Sequence, residues 1–151
     1  MIKYFLQHTS HDFLFVTTTS SYINLNALSI KIQELNAYGL YYGGKPYEGA
    51  KFISGAHRII SRDTALKILE MRRYWPAGII EDVALGQLLA GVGILPTFVP
   101  LNNIATLDEL DSKSDEFLRD NYHFRLKSGM NSKRGDVEIM LALHERLRGS
   151  V

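Results

Sequence analysis

A chain of 151 residues suits one domain, long enough to bury a proper core. Hydrophobic residues make up 46% and charged residues 22%, and 17 basic against 16 acidic residues leave a formal charge of +1, which points to neither a nucleic-acid nor a membrane partner. The absence of cysteine excludes disulfides, thiolate zinc sites and cysteine nucleophiles, and fits a reducing compartment. Apolar runs such as Ile2–Leu6 and Ile94–Pro100 fall short of the roughly 18–20 residues a membrane span requires. Met1-Ile2-Lys3-Tyr4 lacks the apolar core of a signal peptide, so a soluble, cytoplasmic protein is expected.

In chain order, Asp12–Thr18 is an aromatic and β-branched run that reads as a buried strand. Asn24 is placed to cap a helix carrying Leu25, Leu28, Ile32 and Leu35 at helical spacing. Tyr38–Gly49, with Gly43-Gly44 and Lys45-Pro46, reads as a break in regular structure. Lys51–Ile53 and His57–Ile60 read as two short strands separated by Ser54-Gly55-Ala56. Ser61 then caps a helix to about Tyr74, with Asp63 in its first turn, and Pro76 ends it. Glu81-Asp82 opens the next helix, which carries Val83, Leu85, Leu88, Leu89 and Val92 and stops at Gly91–Gly93. Ile94–Leu101 is a further strand, Asp108–Glu116 an acidic turn and helix, and Tyr122–Leu126 a late strand. Arg134–Arg148 is a final amphipathic helix with Val137, Met140, Leu141, Leu143 and Leu147 inward. Alternating strands and helices predict a single α/β domain over residues 1–151.

The strongest local arrangement runs from Phe52 through Ser54-Gly55-Ala56 to Ser61-Arg62-Asp63, with Glu81-Asp82-Val83-Ala84-Leu85-Gly86 following. Glycine between strands lets backbone approach another group closely. An acidic pair at a helix start lies among free amides that favour the ionised carboxylate, an arrangement that by itself also serves as plain helix stabilisation.

This order (strand, S-G-A, strand ending in S-x-D, helix, E-D-V-x-x-G, then Gly93, Ile94 and Pro96 as G-I-x-P) resembles the β-1,3-galactosyltransferase and Fringe-like glycosyltransferases over about residues 12–100. The resemblance implies a GT-A-like, partly Rossmann-like mixed sheet flanked by helices. It also implies inverting transfer of a sugar from a nucleotide-sugar donor to the hydroxyl of a glycan acceptor. Asp82 is then the base that takes the acceptor proton, with Glu81 beside it, and Ser54 and Gly55 line the sugar pocket.

Two departures follow. Family members carry an Asp-x-Asp motif after the first strand of this half, which binds manganese or magnesium. Here the segment reads Phe15-Val16-Thr17-Thr18-Thr19-Ser20-Ser21-Tyr22-Ile23-Asn24, and neutral hydroxyls are poor ligands for hard cations. No metal site is therefore assigned, and Ser20, Ser21 and Asn24 stand where the acidic motif would be. Their hydroxyls can bond a sugar or phosphate at a strand end, or serve as turn and cap residues. In addition, only Met1–His11 precede the first strand, so most of the nucleotide-binding half is missing. The chain is then a fragment, works with a second chain, or has lost the activity.

Histidines 8 and 11 stand three apart without a third ligand at good spacing for zinc. His123 lies where some relatives place a late metal-meeting histidine. Strand alternation puts His123 and Arg125 on one face, as ligand contacts or as solvated strand residues. Tyr38, Tyr41, Tyr42, Tyr47, Tyr74 and Trp75 can stack on sugars or cover a sheet edge. A non-catalytic carbohydrate-binding or assembly protein that kept the fold is the competing reading. Apolar surface exposed by a missing half predicts a homo-oligomer.

Overall fold

The computed structural model describes residues 1–127 and 135–149. In chain order its elements are α1 (Ile2–His8), β1 (Phe13–Thr17), β2 (Ser21–Ile23), α2 (Leu25–Glu34), β3 (Tyr41–Gly44), β4 (His57–Ser61), α3 (Arg62–Glu70), a 3₁₀ turn (Arg72–Tyr74), α4 (Glu81–Ala90), β5 (Thr97–Val99), α5 (Leu107–Asp111), α6 (Asp115–Asp120), β6 (His123–Arg125) and α7 (Asp136–Arg148). The protein is mixed α/β, with a mixed sheet flanked by helices. It divides into two compact units, one comprising Met1–Thr18 and Leu35–Pro100, the other Thr19–Glu34 and Leu101–Val151. No helix among the described residues is long and apolar enough to cross a membrane.

The first unit is built on a four-stranded sheet in the order β1-β4-β3-β5. β4 is antiparallel to both β1 and β3, and β3 is parallel to β5. Register places Leu14, Ile60 and Tyr41 in one row across three strands, and Phe15, Ile59 and Tyr42 in the next. Because side chains alternate, these rows face opposite ways. The first joins Phe5 of α1, Ala65 and Ile68 of α3, and Leu85, Leu88 and Leu89 of α4 in the core.

Four expectations are corrected here. The Tyr38–Gly49 stretch contains a fully buried inner strand, β3. Gly43 fits because β3 presses there against the chain on either side of Ser54-Gly55-Ala56. A Cβ at Gly43 would lie 2.6 Å from both the His57 carbonyl oxygen and Ile53 Cγ2. Lys51–Ile53 is a loop, with the Ile53 amide bonded to the Tyr41 hydroxyl at 3.1 Å. β1 is an edge strand and only half-buried. The strand expected over Ile94–Leu101 shrinks to Thr97–Val99, because Pro96 and Pro100 flank it and neither donates a ladder hydrogen bond.

The sequence does not announce α1, whose seven residues show too little periodicity. Tertiary contacts hold it: Phe5 is in the core, and Arg62 sits over its ring and donates to the Leu6 carbonyl at 2.7 Å. The helix opened by Ser61 ends at Glu70, and the chain continues as the 3₁₀ turn through Tyr74. The Ser61 hydroxyl bonds Asp63 Oδ1 and Thr64 Oγ1 and accepts the Leu40 amide at 2.9 Å, so it ties α3 to the start of β3. Asp63 Oδ2 accepts the Gly39 amide at 2.8 Å.

The second unit pairs β2 with β6 antiparallel, and Asn103 bridges to Arg125 in parallel. Its core is Ile104, Leu110, Leu118, Phe124, Leu126, Ile139 and Leu143, with Tyr22, Met140 and Leu147 packed against it. On α7 the apolar stripe is Ile139, Met140, Leu143 and Leu147. Val137 and Leu141 are 69% and 60% exposed, so the inward set expected from sequence is out of phase at those two positions. Thr106 and Ser114 cap α5 and α6, each accepting an amide at 3.1 Å.

Two measurements check this packing. Gly43→Ala forces a Cβ into backbone and is expected to cost about 1–3 kcal/mol in urea unfolding; a neutral substitution would contradict the close approach. Burial raises the Asp63 carboxyl, but hydrogen bonds from Ser61 and from the Gly39, Thr64 and Asp63 amides outweigh it and hold the group below its ordinary value. A depressed carboxylate contributes stability above its unfolded pKa and loses it as pH falls through the folded one. The stability gap between the native chain and Asp63→Ala is expected to be full above about pH 5 and to narrow below about pH 4. A gap independent of pH would remove the charge from the account.

Candidate functional site

The first unit brings four of the sequence-predicted residues, Ser54, Gly55, Glu81 and Asp82, to one place. The loop before β4 is buried at Ile53, Ser54 and Ala56, and its backbone donors must be satisfied. Four consecutive amides find partners. Ile53 donates to the Tyr41 hydroxyl at 3.1 Å, Ser54 to the Gly44 carbonyl at 2.9 Å, Gly55 to Asp82 Oδ2 at 2.7 Å, and Ala56 to Ser54 Oγ at 3.2 Å. Gly55 is the position that lets the carboxylate in. A Cβ there would lie 2.8 Å from Asp82 Oδ1 and 3.0 Å from Oδ2. The backbone approach made possible by Ser-Gly-Ala is thus to Asp82 itself.

Glu81 has a separate task. Arg58, in the middle of β4, is only 7% exposed, and a buried guanidinium needs a counter-charge. Glu81 supplies it through both oxygens: Arg58 Nη1 donates to Oε2 at 3.0 Å, and Nη2 makes a short contact with Oε1. Glu81 keeps about half of its side chain in solvent, so the pair spans from the sheet interior to the surface. The Tyr41 phenol lies in the field of Arg58, Asp82 and Glu81, and burial pushes it above its ordinary value, so it is protonated at neutral pH.

Arg58 is a site member that sequence reasoning missed. A charged residue inside the apolar strand His57-Arg58-Ile59-Ile60 was the available signal, because such a residue demands an acid elsewhere. Tyr41 was expected to stack on a sugar or cover a sheet edge, and its buried phenol accepts the Ile53 amide instead.

The other five candidates belong to the second unit. Ser21 Oγ and His123 Nε2 are 2.9 Å apart, across the β2–β6 pair. His123 is buried, which corrects its reading as a solvated strand residue, and Arg125 beside it is half-buried. The Ser20 carbonyl accepts the Leu126 amide at 2.7 Å, and its side chain is buried. Asn24 caps α2 as expected, its Oδ1 accepting the Ala27 amide at 3.3 Å, while Nδ2 donates to the Arg119 carbonyl at 3.0 Å. In the first unit, Thr17 Oγ1 donates to the Ala56 carbonyl at 3.0 Å.

Manganese or magnesium does not fit this donor set. Hydroxyls and an imidazole replace the carboxylates that such cations need, and no group of three acidic or histidine side chains converges among the described residues. Of the tyrosines, Tyr41 and Tyr42 are buried, whereas Tyr38, Tyr47 and Tyr74 remain exposed.

The ion pair makes a direct prediction. Glu81→Gln leaves Arg58 buried without its counter-charge and is expected to cost about 1–3 kcal/mol in chemical denaturation. A loss below about 0.5 kcal/mol would show the pair to be an ordinary surface bridge.

No protein-family model matches the chain, and a search of curated proteins finds no similar sequence.

Proposed function

We propose that this chain is a glycosyltransferase-like unit of GT-A type, with Asp82 as the base of an inverting transfer from a nucleotide-sugar to an acceptor hydroxyl. The observation that carries the reading is the 2.7 Å hydrogen bond from the Gly55 amide to Asp82 Oδ2, which joins the two motifs on which the family resemblance rests. A mixed sheet flanked by helices accords with it at the level of fold class.

The chemistry asks little more of the protein than placement. One carboxylate oxygen is held by the amide, which fixes the plane of the group. The other accepts the proton of the acceptor hydroxyl. The freed oxygen lone pair bonds the anomeric carbon from the face opposite the leaving group, and the bond to the nucleotide diphosphate breaks with its electron pair leaving on phosphate oxygen. Glu81 and Arg58 fix the first turn of α4, so Asp82 approaches from a rigid element. No step is routed through a metal ion.

One observation favours the competing class, a carbohydrate-binding protein without catalysis: hydroxyls occupy the segment from Thr17 to Ser21, and Ser21 is engaged with His123.

Asp82→Asn separates the base from the structural partner, since an amide oxygen can still accept the Gly55 amide. Transfer from a panel of nucleotide-sugars onto immobilised glycans is expected to fall at least about a hundredfold in this variant, with unfolding nearly unchanged. Asp82→Ala is expected to lose both activity and stability. Undiminished transfer by Asp82→Asn would remove Asp82 from the chemistry. Glycan binding by the native chain without any transfer, with or without manganese, would favour the binding protein.

A further inference from the structure

The second unit carries a groove of about 650 Å³, within the size range of small-molecule sites. β2, the start of α2, the end of α6 and the last turns of α7 supply its walls. Ile23, Leu25, Met140 and Leu147 give it apolar surface. Arg119 and Arg148 line it as well, and the Tyr22 hydroxyl and His144 Nδ1 share a 2.8 Å hydrogen bond in its wall.

The charge pattern distinguishes this groove. Among the described residues, no aspartate or glutamate lines it. Among the described residues neither Arg119 nor Arg148 forms an ion pair. Nearby Arg146 shows the contrast, bonding Asp115 at 2.7 Å and the carbonyls of Leu110 and Lys113. Two guanidiniums in one recess, with no acid beside them among the described residues, favour an anion. Their forked donors match phosphate and carboxylate oxygens, and low-dielectric walls strengthen the attraction. The apolar lining favours a ligand that also removes hydrocarbon from water.

We propose that this groove binds a small organic anion, with a phosphate or carboxylate held by Arg119 and Arg148 and an apolar body against Met140 and Leu147. The assignment rests on the second unit alone and does not depend on the role of Asp82.

Phenyl phosphate is the probe, titrated into the intact ¹⁵N-labelled chain, with inorganic phosphate, benzoate and phenol as companions. Amide shifts are expected at residues 21–26 and 144–148. Phenyl phosphate is expected to bind about tenfold more tightly than inorganic phosphate, with benzoate between them if carboxylate is accepted and phenol weakest. Arg119→Gln and Arg148→Gln, both at exposed positions, are each expected to weaken binding about tenfold. Arg72→Gln, an exposed arginine in the first unit, is expected to change nothing. Unchanged affinity in both groove variants, or shifts spread over unrelated surface cations, would overturn the site. Equal affinity for inorganic phosphate and phenyl phosphate would overturn the apolar half of the assignment.

Discussion

Arg58 stands in an inner strand of the sheet, where a charge has little access to water, and much of the candidate site follows from what that charge requires. A guanidinium at this depth needs an acid with its hydrogen-bonding geometry, and Glu81 meets it from the first residue of α4. Anchoring Glu81 fixes the start of that helix. The next residue, Asp82, then accepts the amide of a loop that has no strand partner at that position. Gly55 completes the arrangement by leaving space where any side chain would meet the carboxylate. A buried cation, a helix start and a glycine thus form one causal chain from strand to site.

The same logic explains how the loop before β4 is buried without belonging to the sheet. A phenol, a carbonyl, a carboxylate and a serine hydroxyl satisfy its amides one by one. Each acceptor comes from a different part of the first unit or from the loop itself. In the second unit, the side chains of Ser21, Tyr22 and Asn24 find partners on β6, α7, α2 and α6. Both units use short polar side chains where the backbone leaves regular structure, the circumstance in which such residues are favoured.

Elements with strong periodicity or clear punctuation were legible in the sequence. The helix from Glu81 ends at Ala90, just before the expected glycines, and β4 and the Asn24 cap lie where the residues indicate. What escaped did so for identifiable reasons. Tyr41–Gly44 looks like a turn because glycine is normally weak in strands, yet a neighbouring backbone pressed close makes it the residue that fits. Lys51–Ile53 looks like a strand because Phe52 and Ile53 are apolar, but the Ile53 amide goes to a side-chain hydroxyl outside any ladder. On α7 the sequence offers more apolar residues than one face holds, and packing against Phe124 and Leu110 selects Ile139 and Leu143 over Val137 and Leu141. A shared site for Asp82 and Gly55 was implied by the family resemblance alone, and the part of Arg58 was not legible, since a strand sequence does not name its partner.

The hydrogen bond between the loop and the helix is the point on which this account turns, and it can be observed without reference to activity. A through-hydrogen-bond scalar coupling between the Gly55 amide nitrogen and the Asp82 side-chain carboxyl carbon reports it directly in isotope-labelled protein. A resolvable coupling is expected in the native chain, lost in Asp82→Ala and weakened in Glu81→Gln. A Gly55 amide that shows no coupling and exchanges with solvent as fast as an open loop would contradict it.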